Sequence, residues 1–481
     1  MQNRDQLIAE ITREVIARLP LDKLRVPASP GNADQGADVG EGVFETVDEA
    51  VHFASIAQEN VAAMSLEDRG RMVGIIRHIC EERADELARR ELDETELGRL
   101  DHKIEKLKAV KYVLGVEAMR SNARSDASGL CVIEHAPFGL IGMVLPATHS
   151  VPTMASNAIN VLSSGNTAVF SPHPAGSRVA VYALKIFNRE IKRELGLENV
   201  ITTVRKPSLR SAEEIFHHKG VDLLCVTGGP AVVKAAAKSG KRVIAAGPGN
   251  PPVVVDETAD LDAAAKAIIT GASFDNNLLC IGEKEIFVVE SVADAFMTAM
   301  SRAGAFRLSA AAIEKLASVA FTFEGGGKGC GKAHLTKELV GKDVSVLAAA
   351  AGVRVPADTQ LLFGETTADH AFVQEEQMMP FVPVVRVPNV DAAIAASIQA
   401  EHGYRHTAMI HSCNIDNVTR MARVMNTTLF VHNAPCAASL GLGGPGYLSF
   451  SIATPTGEGV TTPLTFTRER QIVVGGGLRI I

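Results

Sequence analysis

Short apolar runs alternate with helical patterns along most of the chain beyond residue 130. In a first series, runs typical of buried strands lie at 139–145, 167–170, 200–204 and 221–226. In a second series, which begins at Lys241, they lie at 253–255, 286–289 and 382–387. Strands that alternate with helices form parallel sheets that are covered by helices on both faces. The pattern therefore predicts an α/β protein with two doubly wound lobes and a ligand cleft between them.

Residues 1–19 show a different pattern, typical of an amphipathic helix. Ile8, Ile11 and Val15 belong to an apolar set on one half of a helical wheel, and Pro20 ends the pattern. Residues 20–42 contain three prolines, several glycines and few apolar side chains, which is typical of a flexible linker. We interpret residues 1–19 as a docking helix for a groove on another protein. Packing of this helix on its own domain is the alternative.

Composition excludes several classes of protein. The 481 residues carry a formal charge of -7, no Trp and 4 Tyr, which argues against a nucleic-acid partner or an anionic membrane surface. No run of eighteen apolar residues occurs, so no transmembrane helix is expected. The amino-terminal segment lacks the long apolar core of a secretory signal, and it carries Asp5, Glu10 and Glu14, which a transit peptide would avoid. The 7 cysteines are scattered without a CxxC pair, so we expect a reducing compartment and no disulfide framework or zinc knuckle.

The segment that ends at Cys280 carries the first candidate chemistry. It reads Ser-Phe-Asp-Asn-Asn-Leu-Leu-Cys over residues 273–280. From the residues alone, such a cysteine is most simply a small buried apolar side chain. Together with Glu283 and Lys284, however, the segment resembles the nucleophile loop of the CoA-acylating branch of the aldehyde dehydrogenase superfamily.

Further segments resemble the same superfamily, in the same order along the chain. They are Pro146-Ala147-Thr148, Gly165-Asn166-Thr167, Ser171-Pro172-His173-Pro174, Thr227-Gly228-Gly229, Ala245-Ala246-Gly247-Pro248-Gly249-Asn250-Pro251-Pro252, Glu376 before Pro380, and Thr454-Pro455-Thr456-Gly457-Glu458-Gly459. Each motif alone is common, and their shared order from about residue 44 to the end of the chain carries the resemblance.

The resemblance implies a role for each candidate residue. Cys280 is the nucleophile, and Glu376 binds the nicotinamide ribose. The other residues implied in cofactor binding are Thr148, Ser171, Pro172, His173, Thr227, Gly228, Gly229, Ala246 and Gly247. A phosphate suits the small residues and the helix amino terminus after Thr227, although an ordinary tight turn fits these residues equally well. The implied hydride acceptor is NAD, and Pro174 leaves NADP open.

Two departures from the superfamily pattern bear on the reaction. Hydrolytic members have a glutamate general base where this chain has Ala246, and alanine cannot accept a proton from water. This difference favours transfer of the acyl group to a thiol such as CoA. His149 stands where acylating relatives commonly have Asn, so either His149 or Asn157 is expected to complete the oxyanion hole. Alternatively, His149 only lines the wall of the cleft.

The resemblance also implies a division of the chain. We expect a docking helix at 1–19, a linker at 20–42, a cofactor-binding domain at 43–241, a catalytic domain at 242–461 and oligomerisation strands at 462–481. A β-hairpin at 121–136 is expected to join the oligomerisation element. A terminal strand can complete the sheet of a partner, so we expect a homo-oligomer, either a dimer or a tetramer.

Two other motifs suggest chemistry that we do not adopt. Residues 326–333 have the spacing GxxxxGK but lack the Ser or Thr that a P-loop needs, so we interpret them as a flexible loop. This loop contains Cys330. The histidines His402, His406 and His411 have no accompanying ligand set, so we expect hydrogen-bonded side chains around a strand and no metal site.

The resulting hypothesis is a CoA-acylating aldehyde dehydrogenase. It would oxidise a short-chain aldehyde, propionaldehyde in preference to acetaldehyde, with NAD and CoA. The resemblance is greatest to enzymes of bacterial microcompartments, which implies a cytoplasmic location inside a shell and a shell protein as the partner of residues 1–19. The alternatives are a hydrolytic dehydrogenase, an acyl-phosphate-forming or acyl-phosphate-reducing member of the superfamily, and a non-catalytic cargo scaffold.

Overall fold

A computed structural model of the chain describes residues 40–323 and 333–477. The predicted docking helix at 1–19, all but the end of the linker at 20–42, Cys330 and the last four residues lie outside the described residues. None of the helices in the described part of the chain is both long and apolar enough to cross a membrane.

The strands are numbered here in chain order. They are β1 (Val43–Phe44), β2 (Asn122–Asp126), β3 (Gly129–Pro137), β4 (Leu140–Leu145), β5 (Thr167–Pro172), β6 (Ile201–Val204), β7 (Leu223–Thr227), β8 (Arg242–Ala246), β9 (Pro252–Val255), β10 (Glu285–Val289), β11 (Phe306–Arg307), β12 (Phe321–Phe323), β13 (Ala333–Leu335), β14 (Leu362–Thr366), β15 (Phe381–Val387), β16 (Thr407–His411), β17 (Leu429–His432), β18 (Ile452–Ala453), β19 (Gly459–Val460) and β20 (Thr467–Gly475).

The α-helices follow the same convention. They are α1 (Val47–Ala63), α2 (Leu66–Glu82), α3 (Ala84–Thr95), α4 (Leu100–Ala109), α5 (Ser150–Ser163), α6 (Ser177–Leu195), α7 (Leu209–His217), α8 (Pro230–Ala237), α9 (Leu261–Ser273), α10 (Glu290–Arg302), α11 (Ala310–Ala320), α12 (Val344–Ala351), α13 (Ala371–Gln374), α14 (Val390–Ala400) and α15 (Ile415–Met425). Single 3-10 turns lie at Val110–Tyr112, Val116–Ala118, Pro174–Gly176, Phe274–Asn277, Cys436–Leu440 and Pro463–Phe466.

The first lobe contains a six-stranded parallel sheet in the order β1-β6-β5-β4-β7-β8. Its central strand β5 is buried at every position, because helices cover both faces of the sheet. One of these helices, α5, is buried along its whole length and packs against α2 and α6. The strand β8 corrects our boundary, because residues 242–246 extend the first sheet although we assigned them to the second domain.

The second lobe contains a seven-stranded parallel sheet in the order β11-β14-β15-β10-β9-β16-β17. Strands β9, β10 and β16 are also buried at every position. The crossover from β9 to β10 passes through α9 and the 3-10 turn at Phe274–Asn277, which precedes Cys280. The nucleophile predicted from the sequence therefore lies in the connection that returns the chain to the centre of this sheet.

A three-stranded antiparallel sheet joins the hairpin of β2 and β3 to the carboxyl-terminal strand β20. All five residues of β2 are exposed, and so is every residue of β20 beyond Thr467. Exposed Ile472, Val473 and Val474 lie along β20. The α/β architecture with parallel sheets confirms the predicted fold class, whereas an oligomerisation role for this sheet stays a prediction.

Candidate active site

The chain adopts an unusual backbone conformation immediately before Cys280. Asp275, Asn276 and Asn277 have φ angles of 49°, 56° and 60°, in the left-handed region. Asn and Asp enter this region more readily than other residues with a side chain, because their short polar groups bond to nearby backbone. Three such residues in succession persist only when their surroundings hold them. The Asp-Asn-Asn sequence therefore shapes the turn that presents the cysteine.

Hydrogen bonds from several elements hold this turn. Asn276 Nδ2 donates to the Gly341 carbonyl at 3.0 Å and to Asp343 Oδ1 at 2.8 Å. Asn277 Nδ2 donates to the Glu283 carbonyl at 2.9 Å. The asparagine side chains thus anchor the nucleophile turn to two segments that follow it in the chain, at Glu283 and at residues 341–343.

Cys280 lines a cavity of about 400 Å³ between the 3-10 turns and the amino end of α5. His149, Lys106 and Cys436 contribute polar atoms to the same cavity. Its apolar wall includes Leu279, Ile281, Leu440, Leu442, Leu448, Phe450 and Ile452. A mostly apolar cavity with a few polar groups beside a thiol suits a small uncharged substrate such as an aldehyde.

The groups around Cys280 have opposite effects on the pKa of its thiol. The pKa of the Cys280 thiol is raised to about 12, mainly by burial and to a smaller extent by Glu376, while the Lys284 ammonium acts in the opposite direction. Lys284 is completely buried and donates from Nζ to the Asn277 carbonyl at 2.6 Å and to Asn277 Oδ1 at 2.7 Å. The sequence analysis named Lys284 only as part of a motif. The structure places its ammonium where it favours the thiolate form of Cys280.

Glu376 also interacts with Lys284 and with the Cys280 thiol. Burial raises the pKa of its carboxyl to about 7, while Lys284 and a hydrogen bond from the Gly249 backbone N–H lower it. A carboxyl with this pKa exchanges its proton near neutral pH, so Glu376 can accept a proton in the vicinity of Cys280. The structure thus places Glu376 where its charge acts on Cys280, and its role in binding the ribose stays a prediction.

The loop after β8 passes close beneath the nucleophile. A Cβ atom at Gly249 would lie 2.7 Å from the Cys280 carbonyl oxygen and 2.8 Å from Cγ of the His406 ring. His406 is buried, its Nε2 atom has no hydrogen-bond partner, and burial lowers its pKa to about 4. The sequence predicts only that His406 lies near a strand. The sequence signal for its proximity was the glycine in Pro-Gly-Asn, which permits this close approach.

The two candidates for the oxyanion hole lie in different surroundings. His149 precedes α5 and lines the cavity of Cys280, and burial with a smaller effect of Lys106 lowers its pKa to about 3. The imidazole is therefore neutral. Asn157 lies about two helix turns further along α5. Its Oδ1 accepts a hydrogen bond from Ser451 Oγ at 3.0 Å, and its Nδ2 is buried without a hydrogen-bond partner. Asn157 is not part of the cavity wall that contains Cys280.

The residues expected to hold the cofactor lie at the carboxyl ends of β5, β7 and β8. Ser171 and Pro172 end β5, and His173 follows them. Thr227 ends β7, and Gly229 precedes α8 with free space around the position of a Cβ atom. In open parallel sheets, this edge is where nucleotides bind. The open turn at the amino end of α8 is compatible with a phosphate group.

One polar chain connects this edge to the helix that follows His149. Thr227 Oγ1 lies 3.0 Å from Ser451 Oγ, which in turn contacts Asn157. Gly228 donates from its backbone N–H to the Ala246 carbonyl at 3.2 Å, so the ends of β7 and β8 are also fixed together. Thr148 follows the carboxyl end of β4, which lies between β5 and β7, and its carbonyl oxygen faces two buried lysines of α4.

The loop from Thr454 to Gly459 packs over the end of β8. Thr456 Oγ1 accepts from the Ala245 backbone N–H at 2.9 Å, and a Cβ atom at Gly247 would lie 2.8 Å from Cγ of Pro455. Ala246 is 5 % exposed, and its side chain has no group that can accept a proton. Among residues 40–323 and 333–477, no group of three His, Cys, Asp or Glu side chains could hold a metal ion.

Comparison with known proteins gives a consistent result. Residues 24–308 match the model of the aldehyde dehydrogenase family. The chain is 45 % identical over 443 residues to the acetaldehyde dehydrogenase (acetylating) EutE of Salmonella typhimurium. The aligned region covers 92 % of this chain and 94 % of that relative.

Two solved structures resemble the fold over nearly the whole chain. One is a propionaldehyde dehydrogenase from the fucose utilisation bacterial microcompartment of Clostridium phytofermentans, with a TM-score of 0.87, 39 % identity and coverage of 92 % of this chain and 100 % of the other. The second is a propionaldehyde dehydrogenase of Rhodopseudomonas palustris with bound CoA and an acylated cysteine, with a TM-score of 0.87, 40 % identity and coverage of 91 % and 99 %.

Proposed function

The chain belongs to the aldehyde dehydrogenase family, and from this premise we propose that it is a CoA-acylating enzyme that oxidises a short-chain aldehyde to an acyl-CoA. The relatives named above are an acetylating acetaldehyde dehydrogenase and propionaldehyde dehydrogenases, one of them with bound CoA and an acylated cysteine. Propionaldehyde is our preferred substrate, and acetaldehyde is the alternative.

The residues of this chain account for the covalent steps. The Cys280 thiolate adds to the aldehyde carbon, and the oxyanion that forms accepts a hydrogen bond from the Cys280 backbone N–H and from a side-chain donor. We propose His149 as this donor, because it lines the cavity of Cys280, with Asn157 as the alternative. When it is bound, NAD accepts the hydride that leaves the same carbon. The product on the protein is an acyl thioester of Cys280.

The remaining step transfers the acyl group to CoA. The sulfur of CoA attacks the thioester carbonyl, the bond from that carbon to Sγ of Cys280 breaks, and Cys280 leaves as a thiolate. Lys284 stabilises this leaving thiolate through its charge. Glu376, with a pKa of about 7, can hold the proton that is lost when a thiol becomes a thiolate.

The presence of Ala246 in place of a general base is the observation that favours acyl transfer to CoA over hydrolysis of the thioester. It ends β8 beside the cofactor-binding turn, and it replaces the carboxylate that hydrolytic members use to deprotonate water. Without a positioned base, attack by water loses roughly 10²–10⁴-fold, whereas a thiol with an appreciable thiolate fraction needs less assistance.

Residues at the edge of the first sheet would hold the nicotinamide cofactor. Thr227, Gly228 and Gly229 would receive the diphosphate at the amino end of α8, and Ser171 and His173 would receive the adenosine. Glu376 would bind the nicotinamide ribose. The open space at Gly229 and the buried, unpartnered Nδ2 of Asn157 support a polar ligand along this edge.

The assay that tests the proposal measures NADH formation with propionaldehyde or acetaldehyde as the substrate. Each aldehyde is tested with CoA, with inorganic phosphate, and without either acceptor. Sustained turnover that requires CoA and yields acyl-CoA is expected. Turnover with phosphate alone would instead favour the acyl-phosphate reaction. Absence of NADH formation under all conditions would favour a non-catalytic scaffold.

Ala246→Glu provides a second test within the same assay. The new carboxylate offers a proton acceptor near the thioester, so the ratio of free acid to acyl-CoA should rise in this variant. Ala246→Gln, which adds a side chain of the same size without a basic oxygen, is the matched control. Rapid acid formation by the unmodified enzyme would contradict the proposal.

We further propose that the enzyme is enclosed in a bacterial microcompartment through its amino-terminal segment. The apolar stripe and the linker at 20–42 support a docking role for residues 1–19, and one structural relative belongs to such a compartment. Homo-oligomerisation through β20 remains part of this proposal. A fusion of residues 1–19 to a fluorescent protein should form foci in shell-producing cells, and diffuse fluorescence there would refute the docking role.

A further inference from the structure

Two lysines of α4 are buried behind the loop that carries His149. Lys103 is 1 % exposed and Lys106 is 3 % exposed. Their Nζ atoms donate to the same acceptor, the Thr148 carbonyl oxygen, at 3.5 Å and 3.4 Å. Two ammonium groups out of water are costly unless carboxylates pair with them.

Each lysine has its own carboxylate partner. Lys103 Nζ lies 3.2 Å from Glu91 Oε1, and Glu91 Oε2 accepts from the Val151 backbone N–H at 3.3 Å. This pair therefore connects α3, α4 and the first turn of α5. Lys106 instead forms an ion pair with Asp275, the first left-handed residue of the nucleophile turn.

Asp275 is itself fixed on two sides. Its Oδ1 atom accepts from the Arg99 backbone N–H at 2.8 Å, and its own backbone N–H donates to His102 Nδ1 at 2.8 Å. Lys106 completes this arrangement because it bonds at once to Asp275 and to Thr148, the neighbour of His149. Lys106 also lines the cavity of Cys280.

This inference rests on the acyl-transfer function above. We propose that Lys106 is a positioning residue, which holds the nucleophile turn and the loop before α5 at one separation so that Cys280 and His149 face the same substrate carbonyl. Catalytic groups lose rate steeply when they are displaced, because the reacting atoms must meet in one geometry. Neither the sequence motifs nor the family resemblance pointed to α4.

The charge of Lys106 has a second effect, on His149. Lys103 and Lys106 face the imidazole from α4 and Asp275 faces it from the nucleophile turn, while Glu105 and Cys280 line the same cavity. Burial is the main cause that lowers the pKa of His149, Lys106 lowers it further, and Asp275 raises it. Loss of the Lys106 charge would leave Asp275 unbalanced and shift the pKa of His149 upward.

Lys106→Met and Lys103→Met form a matched pair of variants, because both lysines are buried and share the Thr148 acceptor. We expect Lys106→Met to lower kcat by about 10²-fold while the KM for CoA changes little. The acid limb of its pH profile should move to higher pH. Lys103→Met should lower thermal stability and move the acid limb by less than Lys106→Met does, because Lys103 has the smaller effect on the pKa of His149.

Hydrogen exchange gives a readout that does not depend on turnover. Amides of residues 273–280 should exchange faster in Lys106→Met than in Lys103→Met or in the unmodified enzyme. If Lys106→Met does not fold, Lys106→Met combined with Asp275→Asn removes both charges, and this double variant should fold yet remain slow. If the unmodified enzyme turned over without CoA, the proposed function would be wrong. The hydrogen-exchange comparison would still test whether Lys106 holds residues 273–280 in place.

Two outcomes would overturn the positioning role. One is a folded double variant with the kcat of the unmodified enzyme. The other is a loss of activity in both single variants that merely follows their thermal stability, with unaltered pH profiles and unaltered exchange at residues 273–280.

Discussion

At the scale of single residues, the reactivity of Cys280 depends on charges that the protein has placed around it. The free thiol has a pKa of about 12 because burial outweighs the favourable charge of Lys284. Burial and Glu376 thus favour the protonated thiol and Lys284 favours the thiolate, and the thiol must lose its proton to act as a nucleophile. Glu376 is the neighbouring group whose pKa, about 7, suits this exchange.

Replacement of the nucleophile is the first prediction at this scale. Cys280→Ala should abolish NADH formation, because it removes the thiol that forms the thioester, and it should leave the fold intact. Cys436 lines the same cavity, but burial raises the pKa of its thiol well above the ordinary value, so we do not expect it to replace Cys280. Activity is measured by absorbance of NADH, and the fold by circular dichroism. Cys330→Ala, outside the nucleophile turn, should keep normal activity. Equal loss in both variants would contradict the assignment of Cys280.

Buried Glu285 predicts an unusual dependence of stability on pH. Burial raises its pKa well above the ordinary value, and neither carboxyl oxygen has a hydrogen-bond partner. A group whose pKa is higher in the folded state stabilises the fold at low pH, and this contribution is lost as pH rises above the unfolded pKa of about 4.3. Each unit of pKa difference corresponds to about 1.4 kcal/mol.

Glu285→Gln tests this linkage, because the amide imitates the protonated carboxyl. The decrease in Tm between pH 5.5 and pH 8 should be smaller in the variant than in the unmodified protein. Glu257→Gln, at an exposed carboxyl, is the control and should leave that decrease unchanged. An identical decrease in Glu285→Gln would show that Glu285 does not titrate in this range.

At the scale of elements, the site depends on a turn and a loop that touch each other. The nucleophile turn needs three left-handed residues, and the loop after β8 needs a residue without a side chain at Gly249. Local propensity explains why Asp-Asn-Asn can form this turn. The contacts with Gly341, Asp343 and Arg99 explain why it forms here.

Gly249→Ala tests the contact between these two elements. The new Cβ atom would lie 2.7 Å from the Cys280 carbonyl oxygen, so the nucleophile turn must move, and we expect kcat/KM to fall by about 10²-fold. Steady-state kinetics measures this loss. Gly74→Ala, at an exposed position of α2 with free space around its Cβ, should retain activity and gain roughly 0.5–1 kcal/mol of stability. Normal activity in Gly249→Ala would refute the contact.

At the scale of the whole molecule, catalysis and location are expected to be separable. Residues 1–19 are followed by a segment with the composition of a linker, at 20–42. Every group that we assign to the reaction lies beyond residue 90. Deletion of residues 1–19 should therefore leave turnover of the purified enzyme close to normal and prevent enclosure in a shell. Turnover and fractionation with shells measure the two effects.

Substitution of the apolar stripe provides the control for this deletion. Ile11→Glu combined with Val15→Glu should act like the deletion, because charges would enter an apolar groove unpaired. A truncated enzyme that loses activity or thermal stability would instead favour packing of the helix on its own domain.

The alternation of strands and helices predicted most of the first sheet and the centre of the second. The predicted runs at 139–145, 167–170 and 286–289 correspond to β4, β5 and β10 with small differences at their ends. Strands β14 and β17 were not predicted, because short apolar runs between polar residues fit a strand and a buried helix segment equally well. Strand β16 was indicated only as the strand around which His402, His406 and His411 were expected. The boundary at residue 241 was wrong, because the pairing of β8 with β7 is a contact between strands, which composition does not reveal.

The sequence by itself determined the α/β class, because this class depends on periodicity along the chain, and the family resemblance of its motifs predicted the nucleophile at Cys280 and the absent base at Ala246. Only the tertiary structure decided which groups surround Cys280. Lys284 and Glu376 belong to motifs, but the motifs do not show that both groups act on the Cys280 thiol. His406 carries no distinctive motif, and Lys106 belongs to a helix of another lobe. Their effects arise from distance and burial, which set pKa values and hydrogen bonds, and these quantities exist only after the chain has folded.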